Sequence, residues 1–399
     1  MPYYIGDVIK DESRLVARTP EKFRQSGIDV KINTRAEEAD GVNKTVRLSD
    51  GAVIPYDFLV IGTGAVASLP MIPGIESDGV FTLKNLPDAL RMKTYLKERQ
   101  GRKAVIVGAG FIAMEMAEAL RNLDMETVIV HRGALPASRW DREFSKLMLE
   151  ELNRNNVSFL TNREITAIEK GENAPLCLMT SEGEIPADFI LFALGTRPNV
   201  KFAADMGVKI GKSGAIQVNF SQATNIGGVY AVGDCCEVFH RISKGWVNLP
   251  LGDIANKQGR ILGRNIGGGK AFFPGIVGAQ SFKLFNLEVA AAGLDERESL
   301  SCGYHPVSAI VWGSAIGASM PGAKKVGIKL VADGATGKLL GAQALGEMGA
   351  VSRINLLSLA LWAEMDLDEI AYLDLAYAPP FSGAWDVIHV AAQALARQI

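Results

Sequence analysis

The chain has 399 residues, roughly two and a half times the ~150-residue prior for one domain, so two or three domains are expected. Its 42 Lys and Arg against 44 Asp and Glu leave a formal charge of −2, which argues against a broadly nucleic-acid-binding surface. Hydrophobic residues at 48% and charged residues at 22% fit a folded chain with ample core, and no apolar run reaches the ~18 residues of a membrane span.

The cysteines and the N-terminus narrow the setting. Cys177, Cys235, Cys236 and Cys302 are too few and too scattered for a disulfide framework. They form no C-x-x-C pair, and His131, His240, His305 and His389 show no ligand spacing, so no metal is expected. Met1-Pro2-Tyr3-Tyr4-Ile5-Gly6 lacks the basic and apolar regions of a signal peptide, and a reducing, cytoplasmic setting is expected.

In chain order, the first organised segment is I-P-Y-D-F-L-V-I-G-T-G at residues 54–64, an apolar strand running into a glycine turn. It returns as I-P-A-D-F-I-L-F-A-L-G-T at 185–196, each copy following a polar turn, Ser49-Asp50-Gly51 or Ser181-Glu182-Gly183. Two copies imply two related domains.

Between the copies, Ala104-Val105-Ile106-Val107 is an apolar, branched run that predicts a buried parallel strand. It feeds Gly108-Ala109-Gly110-Phe111-Ile112-Ala113 and a helix-prone stretch through Leu120, and a second strand at Thr127 to Val130 completes a βαβ unit. Gly108 permits the tight turn, Gly110 lets the backbone approach a pyrophosphate, and Ala113 stands where the fingerprint tolerates alanine for its third glycine. The helix N-terminus offers free N–H groups and a positive dipole end to phosphates. An acidic residue normally ends the second strand and accepts from a ribose hydroxyl. Here the pair is His131-Arg132, which favours a 2′-phosphate and thus NADPH over NADH.

Thr224 to Asp234 form a second motif, a short apolar strand ending in Gly233-Asp234. It places a carboxylate at a strand tip, where open α/β sheets bind ligands. Beyond residue 271, Lys325 to Val331 and Lys338 to Leu345 flank Asp333-Gly334-Ala335-Thr336-Gly337 and predict a hairpin. Helical patterning at Val351 to Met365 and an apolar tail from Trp385 to Leu395 complete an expected α+β domain.

Taken together, the fingerprint at 108–113, the Thr224–Asp234 motif, the repeat and the Asp374 to Phe381 run resemble the FAD-dependent pyridine nucleotide–disulfide oxidoreductases, in the branch of coenzyme A disulfide reductases and NADH oxidases. The resemblance implies an α/β fold with two Rossmann-like nucleotide-binding domains and a C-terminal α+β dimerisation domain. The FAD domain (1–85 and 201–270) would be interrupted by the NAD(P)H domain (86–200) and followed by the dimerisation domain (271–399). The implied cofactors are FAD and NADP or NAD, and the implied assembly is a homodimer. By the same resemblance Asp234 binds the flavin ribitol, Phe111 gates the flavin ring and Glu115 lies near nicotinamide and flavin. Tyr377 reaches across the dimer interface, and Thr63, Gly64, Gly195, Thr224, Gly233 and Asn256 are further cofactor-binding positions.

Two departures stand out. In the second copy Gly108 precedes Asp188 by 80 residues, whereas the matching Asp57 has only 56 residues before it. The family's first G-x-G-x-x-G, and the redox cysteine of a Cys-Gly pair, are therefore expected upstream of Met1. Ser319-Met320 replace the aromatic pair that often precedes the Pro321-Gly322 position, which weakens coenzyme A recognition.

The implied reaction passes a hydride from NADPH to FAD and on, through a thiol centre, to a small-molecule disulfide or persulfide such as coenzyme A disulfide. An NAD(P)H oxidase or peroxidase acting on O₂ or peroxide, and a non-catalytic nucleotide-binding protein, stay open as alternatives. Cys235 and Cys236 are read as packing residues, because a vicinal disulfide would be strained. His389 is read as a packed or interface residue.

Overall fold

The computed structural model describes residues 1–99, 101–172 and 174–399. The chain folds into two compact units, one of Met1–Lys10, Ser68–Gly195 and Val277–Ile399, the other of residues 11–67 and 196–276.

Ala104 to Val107 carry no polar side chain on either face of a strand, so only a sheet covered on both sides removes them from water. The first unit provides one. Its strands are β1 (Val80–Thr82), β2 (Lys103–Val107), β3 (Glu126–Val130), β4 (Val157–Leu160) and β5 (Phe189–Phe192), with helices α1 (Leu86–Arg99), α2 (Phe111–Asn122) and α3 (Arg142–Arg154). The parallel order is β1-β5-β2-β3-β4. Helix α2 buries Ala113, Met114, Met116, Ala117 and Leu120. Each large apolar side chain withdrawn from water in this way contributes ~1.5–3 kcal/mol relative to exposure. A three-stranded antiparallel sheet, Ile165–Glu169, Leu176–Thr180 and Gly183–Ala187, covers Val105, Val128 and Ile190 with Ile168, Leu178 and Ile185.

The C-terminal part of this unit is an antiparallel sheet of β6 (Gln280–Leu284), β7 (Leu287–Gly293), β8 (Pro306–Ser314), β9 (Lys325–Asp333) and β10 (Leu339–Gly346), ordered β6-β7-β10-β9-β8. The hairpin expected around Asp333 to Gly337 is β9–β10, and Asp333 organises it by accepting from His305 N at 3.1 Å and Thr336 Oγ1 at 2.8 Å. Helix α4 (Ala350–Trp362) packs on β7 and β10, and α5 (Val387–Ala396) on β8 and β9. Charged groups dock this sheet on the helices of the parallel sheet. Glu118 of α2 accepts from Lys283 and from Phe285 N at 2.8 Å, and Glu151 of α3 accepts from Asn286 N at 3.2 Å. Buried Lys329 of β9 meets Asp141 at 2.9 Å and Glu296 at 3.3 Å. Burial opposes its charge, yet the two carboxylates hold its pKa above the ordinary lysine value.

The second unit repeats the theme of the first. An antiparallel sheet of Ala36–Asp40, Thr45–Leu48 and Val53–Pro55 precedes the strand Leu59–Ile61, which pairs in parallel with Val229–Ala231. Both copies of the sequence repeat thus join the last strand of a three-stranded antiparallel sheet to a parallel strand and a glycine turn. Ile61, Val208, Ile216, Val218 and Val229 form the core here, together with Cys235 and Cys236.

Candidate functional site

Strand β2 ends at Val107, and the next peptide must turn sharply to start α2. Gly108 does so at φ 110°, and a Cβ there would lie 2.5 Å from the Ala193 carbonyl oxygen, so any side chain is excluded by both sterics and dihedral. The turn is anchored by Gly108 N donating to Val130 O at 2.9 Å and Ala193 N donating to Val107 O at 2.8 Å. Gly110 is the N-cap of α2 and supplies no side-chain cap, and nothing lies within 4 Å of the position its Cβ would occupy. The N-terminus of a 12-residue helix is therefore left without a side-chain cap, beside open space at Gly110.

That space is a cleft of about 600 Å³, within the range of small-molecule sites. Gly108, Ala109 and Gly110 line it at the strand–helix turn, His131 and Arg132 at the end of β3, and Ala193, Leu194 and Gly195 at the end of β5. Arg163 and Glu164, which follow β4, complete the rim. Gly195 has φ 85°, and its carbonyl accepts from Ser68 N at 2.9 Å. The His131 ring folds back over Gly133, where a Cβ would sit 2.8 Å from Nε2. Burial, reinforced by the neighbouring Arg132 charge, holds the His131 pKa below its ordinary 6.5. The ring is thus neutral at neutral pH, and Arg132 and Arg163 carry the positive charge of the rim.

The structure gathers Gly108, Gly110, His131, Arg132 and Gly195 in this cleft. Ala113 is buried within α2, as close helix–strand packing requires. Phe111 is the first residue of α2 and is exposed, and Glu115, one turn further along, is not in the cleft lining. Its carboxyl accepts from the Tyr3 hydroxyl at 3.3 Å. Burial raises the Glu115 pKa above the ordinary carboxylate value, with the Tyr3 bond opposing, and burial beside this carboxylate pushes the Tyr3 phenol up to about 12.

In the second unit the parallel strands Leu59–Ile61 and Val229–Ala231 both end in turns, Gly62-Thr63-Gly64 and Val232-Gly233-Asp234. Gly64 and Gly233 take φ 67° and 83°. No atom comes within 4 Å of the Cβ position at Gly64, so the first strand tip leaves room for a ligand, whereas at Gly233 a Cβ would meet Ala255 Cβ at 3.5 Å. The peptide groups and the Asp234 carboxylate at these tips fit the polyol of FAD. Helix Gly252–Ile266 holds the second turn, because Gln258 accepts from Gly233 N at 2.8 Å and donates to Glu237 O at 3.3 Å. Asn248 donates to Asp234 O at 3.0 Å. Asn256 is exposed on that helix, whereas the Thr224 hydroxyl is committed to the Val229 carbonyl at 2.8 Å and acts as a turn brace.

All four cysteines are free thiols. Burial pushes Cys177, Cys235 and Cys236 up, which disfavours the reactive thiolate. His389 is fixed in α5, accepting from Asp386 N at 3.2 Å while Nε2 meets Leu373 O at 2.9 Å. Tyr377 is exposed, in a segment that also exposes Tyr372, Phe381 and Trp385. Among the described residues no cluster of His, Cys, Asp and Glu has metal-binding geometry, and no helix is long and apolar enough to cross a membrane.

Arg163, Asn248 and the clamp that Gln258 places on Gly233 are what sequence reasoning missed. Only the adjacency of β4 to β3 brings Arg163 to the rim, and only the tertiary placement of helix Gly252–Ile266 brings Gln258 to Gly233.

The strand order and the glycine turn define a dinucleotide-binding class of domain. Comparison with known proteins agrees. Residues 20–259 match the pyridine nucleotide-disulphide oxidoreductase family, and residues 279–387 match its dimerisation domain. The chain belongs to this family. It is 34% identical over 395 residues to an NAD(P)H sulfur oxidoreductase (CoA-dependent) of Pyrococcus abyssi, covering 98% of this chain and 88% of that protein. It is 30% identical over 400 residues to a coenzyme A disulfide reductase of Staphylococcus aureus, covering 98% of this chain and 89% of the relative. Among solved structures, an NAD-dependent persulfide reductase from A. fulgidus superposes with a TM-score of 0.95 at 35% identity, over 100% of this chain and 75% of that one.

Proposed function

We propose that this protein is an FAD-dependent NAD(P)H:disulfide oxidoreductase that reduces a small-molecule disulfide or persulfide of the coenzyme A type. The observation that carries the reading is the cleft over Gly108 to Gly110, at the uncapped N-terminus of α2, with Arg132 and Arg163 at its rim. The first-turn N–H groups of α2 bind the coenzyme pyrophosphate, and the Gly110 surface lets it approach. Arg132 pairs with the adenosine-side phosphate and favours NADPH. In the second unit Asp234 accepts from polyol hydroxyls, with Gly64 leaving room and Gln258 and Asn248 fixing the turn at Gly233 and Asp234. Bound there, FAD would supply the two-electron chemistry that links hydride from the reduced pyridine coenzyme to the disulfide. Phe111 gates that exchange and Glu115 orients the nicotinamide. The thiol that opens the disulfide is not assigned to Cys177, Cys235 or Cys236.

On this reading the chain comprises a flavin domain of 1–85 and 201–270, a coenzyme domain of 86–200 and a dimerisation domain of 271–399. The active unit is a homodimer. The exposed Tyr372, Tyr377, Phe381 and Trp385 form the apolar surface that a second copy covers, with Tyr377 reaching the partner's active site. Four free thiols accord with a reducing, cytoplasmic setting.

An anaerobic turnover assay of the FAD-loaded protein tests this. NADPH and a proton reduce one coenzyme A disulfide to two thiols, so thiol release at twice the NADPH consumed supports the reading. NADPH consumption that requires O₂ and releases no thiol supports an oxidase instead.

A further inference from the structure

Arg163 has no place in the βαβ fingerprint, yet the fold carries it to the cleft from a separate strand. Strand β4 runs parallel to β3 with Leu160 opposite Val130, and His131 N extends the ladder by donating to Leu160 O at 2.9 Å. Asn162, at φ 53°, then turns the chain back, and Arg163 N donates to His131 O at 3.2 Å. The guanidinium is steadied from a third element, because its Nη1 donates to Glu182 O at 3.2 Å in the turn between Thr180 and Gly183. That bond occupies one of five N–H donors. Neither Arg132 nor Arg163 has an ion-pair partner among the described residues. Glu164 is the one carboxylate in the lining, and its backbone N is held by Ser181 Oγ at 3.2 Å. Two unpaired guanidinium groups beside a neutral imidazole and a single acid leave a net positive rim.

We propose that Arg163 and Arg132 together form the subsite for the 2′-phosphate on the coenzyme's adenosine ribose, making Arg163 a determinant of NADPH over NADH selection. The proposal rests on the coenzyme reading of the cleft given above. Its chemistry is the charge-assisted, fork-shaped pairing of guanidinium with a phosphate dianion, with arginines approaching from the ends of two adjacent strands. The ribose hydroxyl of NADH offers no charge to this pair, and no acid stands at the end of β3 to accept from it.

Calorimetric titration of the full chain with 2′,5′-ADP and with 5′-AMP isolates the phosphate, since the two ligands differ only there. The wild type binds 2′,5′-ADP roughly 10-fold or more tightly than 5′-AMP. Arg163→Gln cuts that ratio by about 10-fold with 5′-AMP binding and melting temperature unchanged, and Arg163→Lys restores part of it. An Arg163→Gln variant that weakens both ligands equally places the guanidinium on the adenine instead and overturns the proposal. An unchanged ratio overturns it too. A wild type that binds 5′-AMP without preferring 2′,5′-ADP defeats this subsite alone, whereas one that binds neither defeats the coenzyme reading with it.

Discussion

The Tyr3 hydroxyl and the Glu115 carboxyl, 112 residues apart in sequence, meet at 3.3 Å, with the phenol as donor. Because burial and the carboxylate push Tyr3 up to about 12, it remains a donor across the physiological range. Glu115 has its folded pKa raised above the ordinary 4.5, so the native state binds its proton more readily than the unfolded chain does. Its charge is therefore a stability penalty that develops as pH rises above 4.5. Glu115→Gln raises the melting temperature at pH 7 relative to wild type, and the gain disappears as pH falls below 4.5. Tyr3→Phe does the reverse at neutral pH, by ~0.5–1 kcal/mol, because the bond is long and Tyr3 is partly exposed.

Gly108 and Gly110 are both glycines of the turn, but they fail differently. Gly108→Ala forces a Cβ to 2.5 Å from the Ala193 carbonyl at a left-handed dihedral, and the strain costs about 1–3 kcal/mol of fold stability. Gly110→Ala adds its methyl group to open space at φ −80°, so the fold is untouched while the methyl occupies the coenzyme's approach. Parallel melting and NADPH titrations are expected to show a lowered melting temperature only for Gly108→Ala, and affinity reduced roughly 10-fold or more for both.

A buried ion pair holds α4 to the start of α5. Arg353 Nε and Nη2 donate to the two Asp386 oxygens at 3.0 and 2.6 Å, and Nη2 also donates to Ala315 O at 2.8 Å. Removing one partner leaves the other charge buried alone, so Arg353→Ala costs about 3–5 kcal/mol in denaturant unfolding. Asp386 also caps α5 by accepting from Ile388 N at 3.0 Å. Asp386→Asn, which keeps that acceptor, is expected to be less damaging than Asp386→Ala.

His131 makes the protein acid-sensitive in a defined direction. Its folded pKa is depressed below 6.5, so as pH falls the unfolded chain takes up the proton first and stability is lost below 6.5. Burial opposes protonation most, and the Arg132 charge adds to it. His131→Gln removes this component, and its melting temperature falls less than that of wild type between pH 8 and pH 5.

Much of this architecture is legible in the residues. The apolar run at 104–107 followed by Gly-x-Gly predicts β2, the turn and α2, because burial on both faces and a forced positive φ are local requirements. The turn chemistry at Asp333 to Gly337 predicts β9 and β10. The repeated I-P-x-D-F segment marks two equivalent supersecondary units. What is not legible depends on which strands become neighbours. Arg163 joins the cleft because β4 lies beside β3, and Lys329, buried in an apolar strand, is accounted for only once Asp141 and Glu296 are found against it. The Gln258 clamp on Gly233 belongs to the same class, a polar residue whose partner is fixed by packing rather than by spacing.

Rapid anaerobic mixing of the FAD-loaded protein with NADPH reads hydride transfer from coenzyme to flavin in a single turnover. Bleaching of the flavin absorbance by NADPH, faster than by NADH and slowed at limiting NADPH in Gly110→Ala, is the predicted result. A flavin that stays oxidised with both coenzymes rules out this protein as an NAD(P)H-dependent flavin oxidoreductase.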